Sequence, residues 1–351
     1  MFKNYAKVVI LMTTGALQGL LYCGNILIPS LFPFMVLSSF IVTSGFSEFI
    51  GKYLTPITKR LFHSNGEIGS VIILGLCGGF PVGAKGVATL YNENKIDLDT
   101  AKALSMFLVG GGPGFVVCVV GGTLYNSVTT GLILWASQLV AQIILGIFAC
   151  RKLKYIPISK NKATKVPLSN AIVEATESGI HSIFLLCGMV IIFSSFFGLC
   201  EDLHITDYLI ILLGALGIPE NISQSILNSL WEVTKGCSSC CDLSAPLWLT
   251  AFALGWGGIC VHFQVYSLAS SINIPKTKFT LYRLAQGVIS AIISAIVFTF
   301  YTPSQATYNS QSNIPIVCNS YIGSIALVMM CIIFTLSVSQ KSNISKASRR
   351  G

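Results

Sequence analysis

Charge is what this sequence has least of. Aspartate, glutamate, lysine and arginine make up 10% of its 351 residues, where a soluble domain carries about a quarter. With 53% apolar residues and a mean hydropathy of +0.75, a water-soluble globule is excluded and an integral membrane protein is expected. Short alternating strands are also missing. The apolar runs have helical length, which rules out a barrel and leaves an all-α bundle. Catalytic signatures are absent: there is no G-x-S-x-G, no H-E-x-x-H and no Walker loop, since Gly83-Ala84-Lys85 lacks the spacing and the following Ser/Thr. His63, His181, His204 and His262 stand without triad or metal spacing. No enzyme, no ATP-driven pump, no cofactor and no nucleic-acid partner are expected.

Cysteine is plentiful, with twelve residues scattered mostly through apolar runs, where they act as small hydrophobes. Cys237-Ser-Ser-Cys240-Cys241 could hold a metal or a disulfide, but no second ligand pair accompanies it. No metal site is expected there. The lysines ahead of the first apolar run imitate a signal peptide; the run is too long for one and reads as a retained helix.

The stretch Gly78-Gly-Phe-Pro-Val-Gly-Ala-Lys85 organises the rest. It follows an apolar run too short to cross a bilayer and places a lysine among helix breakers. Broken backbone at membrane depth is tolerated only where protein or a water-filled cavity satisfies it, so residues 68–90 read as a re-entrant hairpin. The alternative is that Lys85 marks an ordinary cytoplasmic loop end.

Spans are expected at Val8 to Ile28 and Ser30 to Phe49, followed by a basic amphipathic segment (Lys52, Lys59, Arg60) at the interface. After the hairpin, residues 101–122 form a span broken at Gly110-Gly-Gly112-Pro113-Gly114, and Val128 to Cys150 form the next. This first half (1–150) ends in a basic linker (151–170) carrying Arg151, Lys152, Lys154, Lys160, Lys162 and Lys165. The second half (171–338) opens with a span at Ile180 to Cys200 and a short apolar run at Tyr208 to Ile218. A second hairpin (222–241) holds Trp231-Glu-Val-Thr-Lys-Gly-Cys237, and a broken span (245–268) is interrupted at Gly255-Trp-Gly-Gly258. Spans at Phe279–Tyr301 and Tyr321–Val338 and a basic tail (339–351) close the chain. The total is about eight spans plus two re-entrant hairpins.

With both termini cytoplasmic, every basic segment falls inside and the predicted outer loops carry no lysine or arginine. Lys235 alone is stranded. The halves echo each other: Phe34–Phe40 resembles Gly188–Phe196, the hairpin at Lys85 matches that at Lys235, and Gly110–Gly114 matches Gly255–Gly258. Since the matched spans run in opposite directions, the repeat is inverted. Paired interrupted segments in two inverted halves point to a transporter's midplane site.

In such a site Lys85 and Lys235 would bring two cations to one cavity. Glu232 would pair with Lys235 or carry a coupled proton or cation. Thr234 and Gln264 offer neutral hydrogen bonds, with Asn25, Ser38, Ser39, Ser194 and Ser195 as further candidates, though membrane serines more often serve packing. Phe80 and Trp231 could stack a planar ring. Gly78, Gly79, Pro81, Gly83, Gly112, Pro113 and Gly114 would supply exposed backbone. Together these suit a small, planar, anionic solute.

At Gly78–Lys85, Gly110–Phe115, Trp231–Cys237 and Gly257–Gln264 the chain resembles the YlbJ-type sporulation integral membrane proteins of endospore-forming bacteria. These are similar to the nucleoside-recognition gate domain shared with concentrative nucleoside transporters. The resemblance covers nearly the whole chain. It implies a protein of the outer forespore membrane that moves dipicolinic acid (pyridine-2,6-dicarboxylate) towards the spore in support of cortex formation, alone, as a homo-oligomer or with other sporulation membrane proteins. The alternatives are a transporter of nucleosides or other small metabolites, and a non-transporting scaffold for spore assembly.

Overall fold

The computed structural model describes residues 15–62, 66–92, 94–151 and 167–301, together with Thr13 and Leu153. The expected last span and tail lie outside the described residues. Those described are helical, with no strand among them, as an all-α reading requires.

Helix α1 covers residues 15–43, including a wide-turn stretch at Cys23–Leu27 that continues directly into Ile28–Thr43. This corrects the expectation of two spans divided at Pro29. The proline has no N–H to give to the preceding turn, and the wide turn just before it absorbs the missing bond without ending the helix. At about 1.5 Å per residue the helix is about 43 Å long, enough for one crossing and not two. It is followed by α2 (Phe46–Phe62), which carries the basic residues of the interfacial segment.

The first hairpin is α3 (Gly66–Cys77) and α4 (Phe80–Asn92). The first broken span is α5 (Leu98–Phe107) and α6 (Gly114–Leu124), the latter wound with wide π turns. Helix α7 (Val128–Cys150) completes the first half. The second half repeats the order. Helix α8 (Leu168–Asp202) is followed by the short α9 (Ile205–Ala215), then by the hairpin α10 (Glu220–Trp231) and α11 (Val233–Asp242). The broken span α12 (Leu247–Trp256) and α13 (Gly258–Leu268) leads to α14 (Lys276–Phe300). Helix α8 starts three turns earlier than Ile180, so its first turn takes the end of the expected linker.

Four helical stretches among the described residues are long and apolar enough to cross a membrane: Val128–Cys150, Leu168–Glu201, Leu247–Leu268 and Lys276–Phe300. Their exposed flanks are apolar, with Phe148, Phe184, Ile192, Leu281 and Ile292 facing outward. That is a lipid-facing surface and the reverse of a soluble bundle.

Packing follows the repeat. Helix α1 lies antiparallel along α8, the helix that carries the echo of its sequence, with Ser39 beside Ser178 and Gly15 beside Ser194. The second arm of each hairpin crosses to the other half: α4 packs on α13 and α11 packs on α6. Scaffold helices α7 and α14 hold the broken spans α5–α6 and α12 from behind.

Candidate functional site

Each interrupted element breaks at the centre of the bundle. Helices α3, α5, α10 and α12 end there, and α4, α6, α11 and α13 begin there. Four helix starts therefore aim backbone N–H groups and the positive ends of their dipoles at one region.

Glycine makes the approach possible. Gly79 (φ +93°) turns the first hairpin in the left-handed region, and a Cβ there would lie 3.5 Å from the backbone nitrogen of Gly112 in the first broken span. Gly257 and Gly258 (φ +82° and +76°) do the same for the second broken span. A Cβ on Gly258 would come within 2.8 Å of the Glu232 Cα at the second hairpin's tip. Pro81 occupies the second position of α4, where its missing N–H would have no partner in any case.

The freed backbone is satisfied by side chains from the scaffold helices. Gln138 on α7 accepts from Gly111 N–H (3.1 Å) and donates to Gly111 O (3.0 Å), and Gln142 donates to Phe107 O (3.1 Å). On α14 the fully buried Arg283 donates to Val109 O, Gly255 O and Trp256 O, and to Gln286 Oε1 (2.6 Å). One guanidinium thus meets the carbonyl ends of a broken helix from each half. Trp256 Nε1 donates to Leu230 O at the end of α10 (3.2 Å). Sequence reasoning placed Arg283 with the cytoplasmic charges and passed over both glutamines. The signal was there: polar side chains one turn apart, at 138 and 142 and at 283 and 286, inside otherwise apolar helices.

The four breaks enclose a cavity of about 40 Å³, room for about three waters at 10–15 Å³ each. It is lined by the expected Gly78, Gly79, Phe80, Gly112, Gly114, Glu232, Thr234 and Gln264, with Leu27, Leu31 and Met35 from α1, Leu186 and Val190 from α8, and Phe115, Val233 and Val261. The second hairpin's tip is ordered by Glu232, which caps α11. Its Oε1 accepts from Thr234 N–H (2.9 Å), and its Oε2 accepts from Lys235 N–H (2.8 Å) and from the Thr234 hydroxyl.

The remaining expected residues lie elsewhere. Gly83 packs the first hairpin against Leu108 and Gly75, and Pro113 precedes α6. Lys85 is half-buried and donates to Ser178 Oγ on α8, which in turn lies 3.2 Å from Ser39 Oγ on α1. Lys235 reaches Glu201 at the end of α8 (3.2 Å) with its ammonium 3.5 Å from the centre of the Phe197 ring. Ser178 and Glu201 are roughly 34 Å apart along the α8 axis. The two lysines therefore flank the cavity from opposite ends, and the expectation that both line it is corrected. Lysine side chains are long enough to leave the element that carries them and follow water or an acid.

Trp231 stacks on Phe196 at 5.4 Å, away from the cavity. Ser194 and Ser195 lie where α8 meets Gly15 and Gly19 of α1, and Ser195 bonds its own helix at Ile191 O. Asn25 is exposed. His262 donates to Gly258 O through Nδ1–H (2.8 Å) and packs on Trp256. Among the described residues no group of three or more His, Cys, Asp or Glu could hold a metal.

Residues 26–149 match the family model described as nucleoside recognition (Gate). The chain is 25% identical to the sporulation integral membrane protein YlbJ of Bacillus subtilis (strain 168), covering 95% of this chain and 91% of that protein. No solved structure matches it. The chain is thus a helical integral membrane protein whose residues 26–149 match the nucleoside-recognition (Gate) model and which is similar along nearly its whole length to a YlbJ-type sporulation protein.

Proposed function

We propose that this protein is a secondary transporter that passes a small solute through the crossing of its two inverted halves. One observation carries the reading: among the described residues four interrupted elements, two from each half, break around one cavity. Exchange of access between the two faces then requires a hairpin or broken helix to move.

The solute we favour is a small planar anion, with dipicolinate in the outer forespore membrane as the first candidate. Its support is the sporulation role printed in the relative's name, the four helix starts, and a lysine at each approach to the cavity. In this reading Lys85 and Lys235 act one after the other, each for its own face. The basic linker, α2 and the segment before α14 are placed in the cytoplasm. Because α1 crosses once, residue 15 then lies on the opposite face, in place of the cytoplasmic amino end first expected. A nucleoside transporter is the second reading, favoured by the gate match and by Glu232, which could accept from solute hydroxyls.

Purified protein in vesicles, sorted by orientation, tests this. Wild type should take up dipicolinate. Lys235→Ala should raise KM roughly tenfold, about 1.4 kcal/mol, from one face only, and Lys85→Ala from the other. Uptake that neither substitution alters removes the lysines from the path. Nucleosides that enter and compete with dipicolinate would favour the second reading, and no dipicolinate uptake under any gradient would end the first.

A further inference from the structure

We propose, building on the transport reading above, that Glu232 carries a proton across the membrane together with the solute. The carboxyl group lies at the tip of the second hairpin, 6% exposed, in the wall of the cavity. No lysine or arginine is among the described residues that share that wall. Its neighbour Lys235 gives it a backbone N–H, while the ammonium is turned outward onto Glu201 and Phe197 and acts on Glu232 through space without a direct ion pair. Arg283 on α14 lies behind Gly257 with its donors on three carbonyls and Gln286.

The other titratable groups around Glu232 do not supply a counter-charge. Tyr22 and Cys23 face it from α1, Cys237 from α11 and Cys260 from α13, and all are uncharged forms at neutral pH. Cys187 of α8 contacts Cys23, and the His262 ring is turned to Trp256 and Phe279. Helix α12 contributes no titratable side chain. Helix α10 has one, Glu220, at its far end, and α6 has Cys118. Lys85 on α4 is held by Ser178. Compensation of a negative charge at Glu232 thus comes from the α11 start and three local donors, with the Lys235 ammonium acting only at a distance.

Those donors also decide what can bind. A carboxylate offers about four lone-pair sites. Two on Oε2 are taken by the Lys235 N–H and the Thr234 hydroxyl, and one on Oε1 by the Thr234 N–H. One site on Oε1 is left. It takes a proton without breaking any of the three bonds. It cannot serve a metal ion, which needs several oxygens, and Thr234 and Gln264 are the other polar side chains in the wall. An anion entering beside the bare carboxylate is repelled; beside the neutral acid it is not. Anion and proton therefore each strengthen the other's binding, by the same factor. When the cavity opens to one face, Glu232 loads from water and the solute follows. When it opens to the other, both leave.

The test uses vesicles holding the full protein, with dipicolinate as probe. Wild type should accumulate it in response to an inward proton gradient. Glu232→Gln should lose accumulation yet keep one-for-one exchange of internal for external dipicolinate, which needs no net proton movement, and Glu232→Asp should regain part of the coupling. Wild-type accumulation indifferent to the proton gradient, or driven by sodium alone, overturns the proposal, as does proton-driven accumulation by Glu232→Gln. Should wild type take up no dipicolinate at all, the transport reading fails, and infrared spectra of the detergent-purified protein test the proton site by itself. A carboxylic-acid C=O band that titrates in wild type and is missing from monodisperse Glu232→Gln supports the site, and its absence from wild type overturns it.

Discussion

Arg283 has the largest side chain among those fully buried, and among the described residues no carboxylate pairs with it. Its charge is met by carbonyls that the helix breaks set free, at the ends where helix dipoles are negative. Arg283→Met would orphan three buried carbonyls, each costing roughly 1–3 kcal/mol. The variant should therefore lose at least about 3 kcal/mol of stability by denaturation in detergent, with Arg283→Lys intermediate because one ammonium cannot fork to all three. An unchanged melting profile for Arg283→Met would show that water or a rearranged backbone replaces it. At this scale the sequence showed residue types without directions. Glu232, Thr234, Gly78, Gly79, Gly112 and Gly114 were legible because residues at or beside a break have little freedom in where they point. Lys85, Lys235 and Arg283 were not, because long side chains choose their partners in three dimensions.

Elements were more legible than residues. The first hairpin and both broken spans stand where glycine and proline interrupt apolar runs, the second hairpin breaks at the extended Glu232, and Val128–Cys150 was bounded to the residue. The misread element was α1, where Pro29 looked like a boundary. In a membrane the helix is the cheapest way to satisfy backbone, so a wide turn absorbs proline where a soluble chain would turn away. One close element contact is Gly258 against the second hairpin's tip. Gly258→Ala would force a side chain at φ +76° into the Glu232 Cα and Trp231 O, with about 1–2 kcal/mol from the backbone conformation alone. Transport should fall far more than stability, because relief comes by moving the tip. Gly188→Ala on α8, whose Cβ meets nothing within 4 Å, should stay within about 0.5 kcal/mol of wild type and transport normally. Equal losses in both variants would refute a special role for the tip contact.

The described residues form two copies of one seven-element order, and that symmetry was legible from three matched features because the breaks recur in sequence as well as in space. What the symmetry leaves unequal is the slot after the first helix of each half. In the first half it is filled by α2, with Lys52, Lys59 and Arg60. In the second it is α9, without a lysine or arginine and with Tyr208, Ile211 and Leu212 exposed. The two leaflets therefore meet different proteins. Anionic headgroups gather at one slot, at roughly 1 kcal/mol per basic side chain near the surface, while the other beds in acyl chains whatever the headgroup. A bilayer of phosphatidylglycerol should support faster uptake than one of phosphatidylcholine, and replacing Lys52, Lys59 and Arg60 by glutamine should erase the difference; equal rates for wild type in both would refute it. A membrane whose leaflets differ in charge would then hold this protein in one orientation by lipid composition as well as by topology.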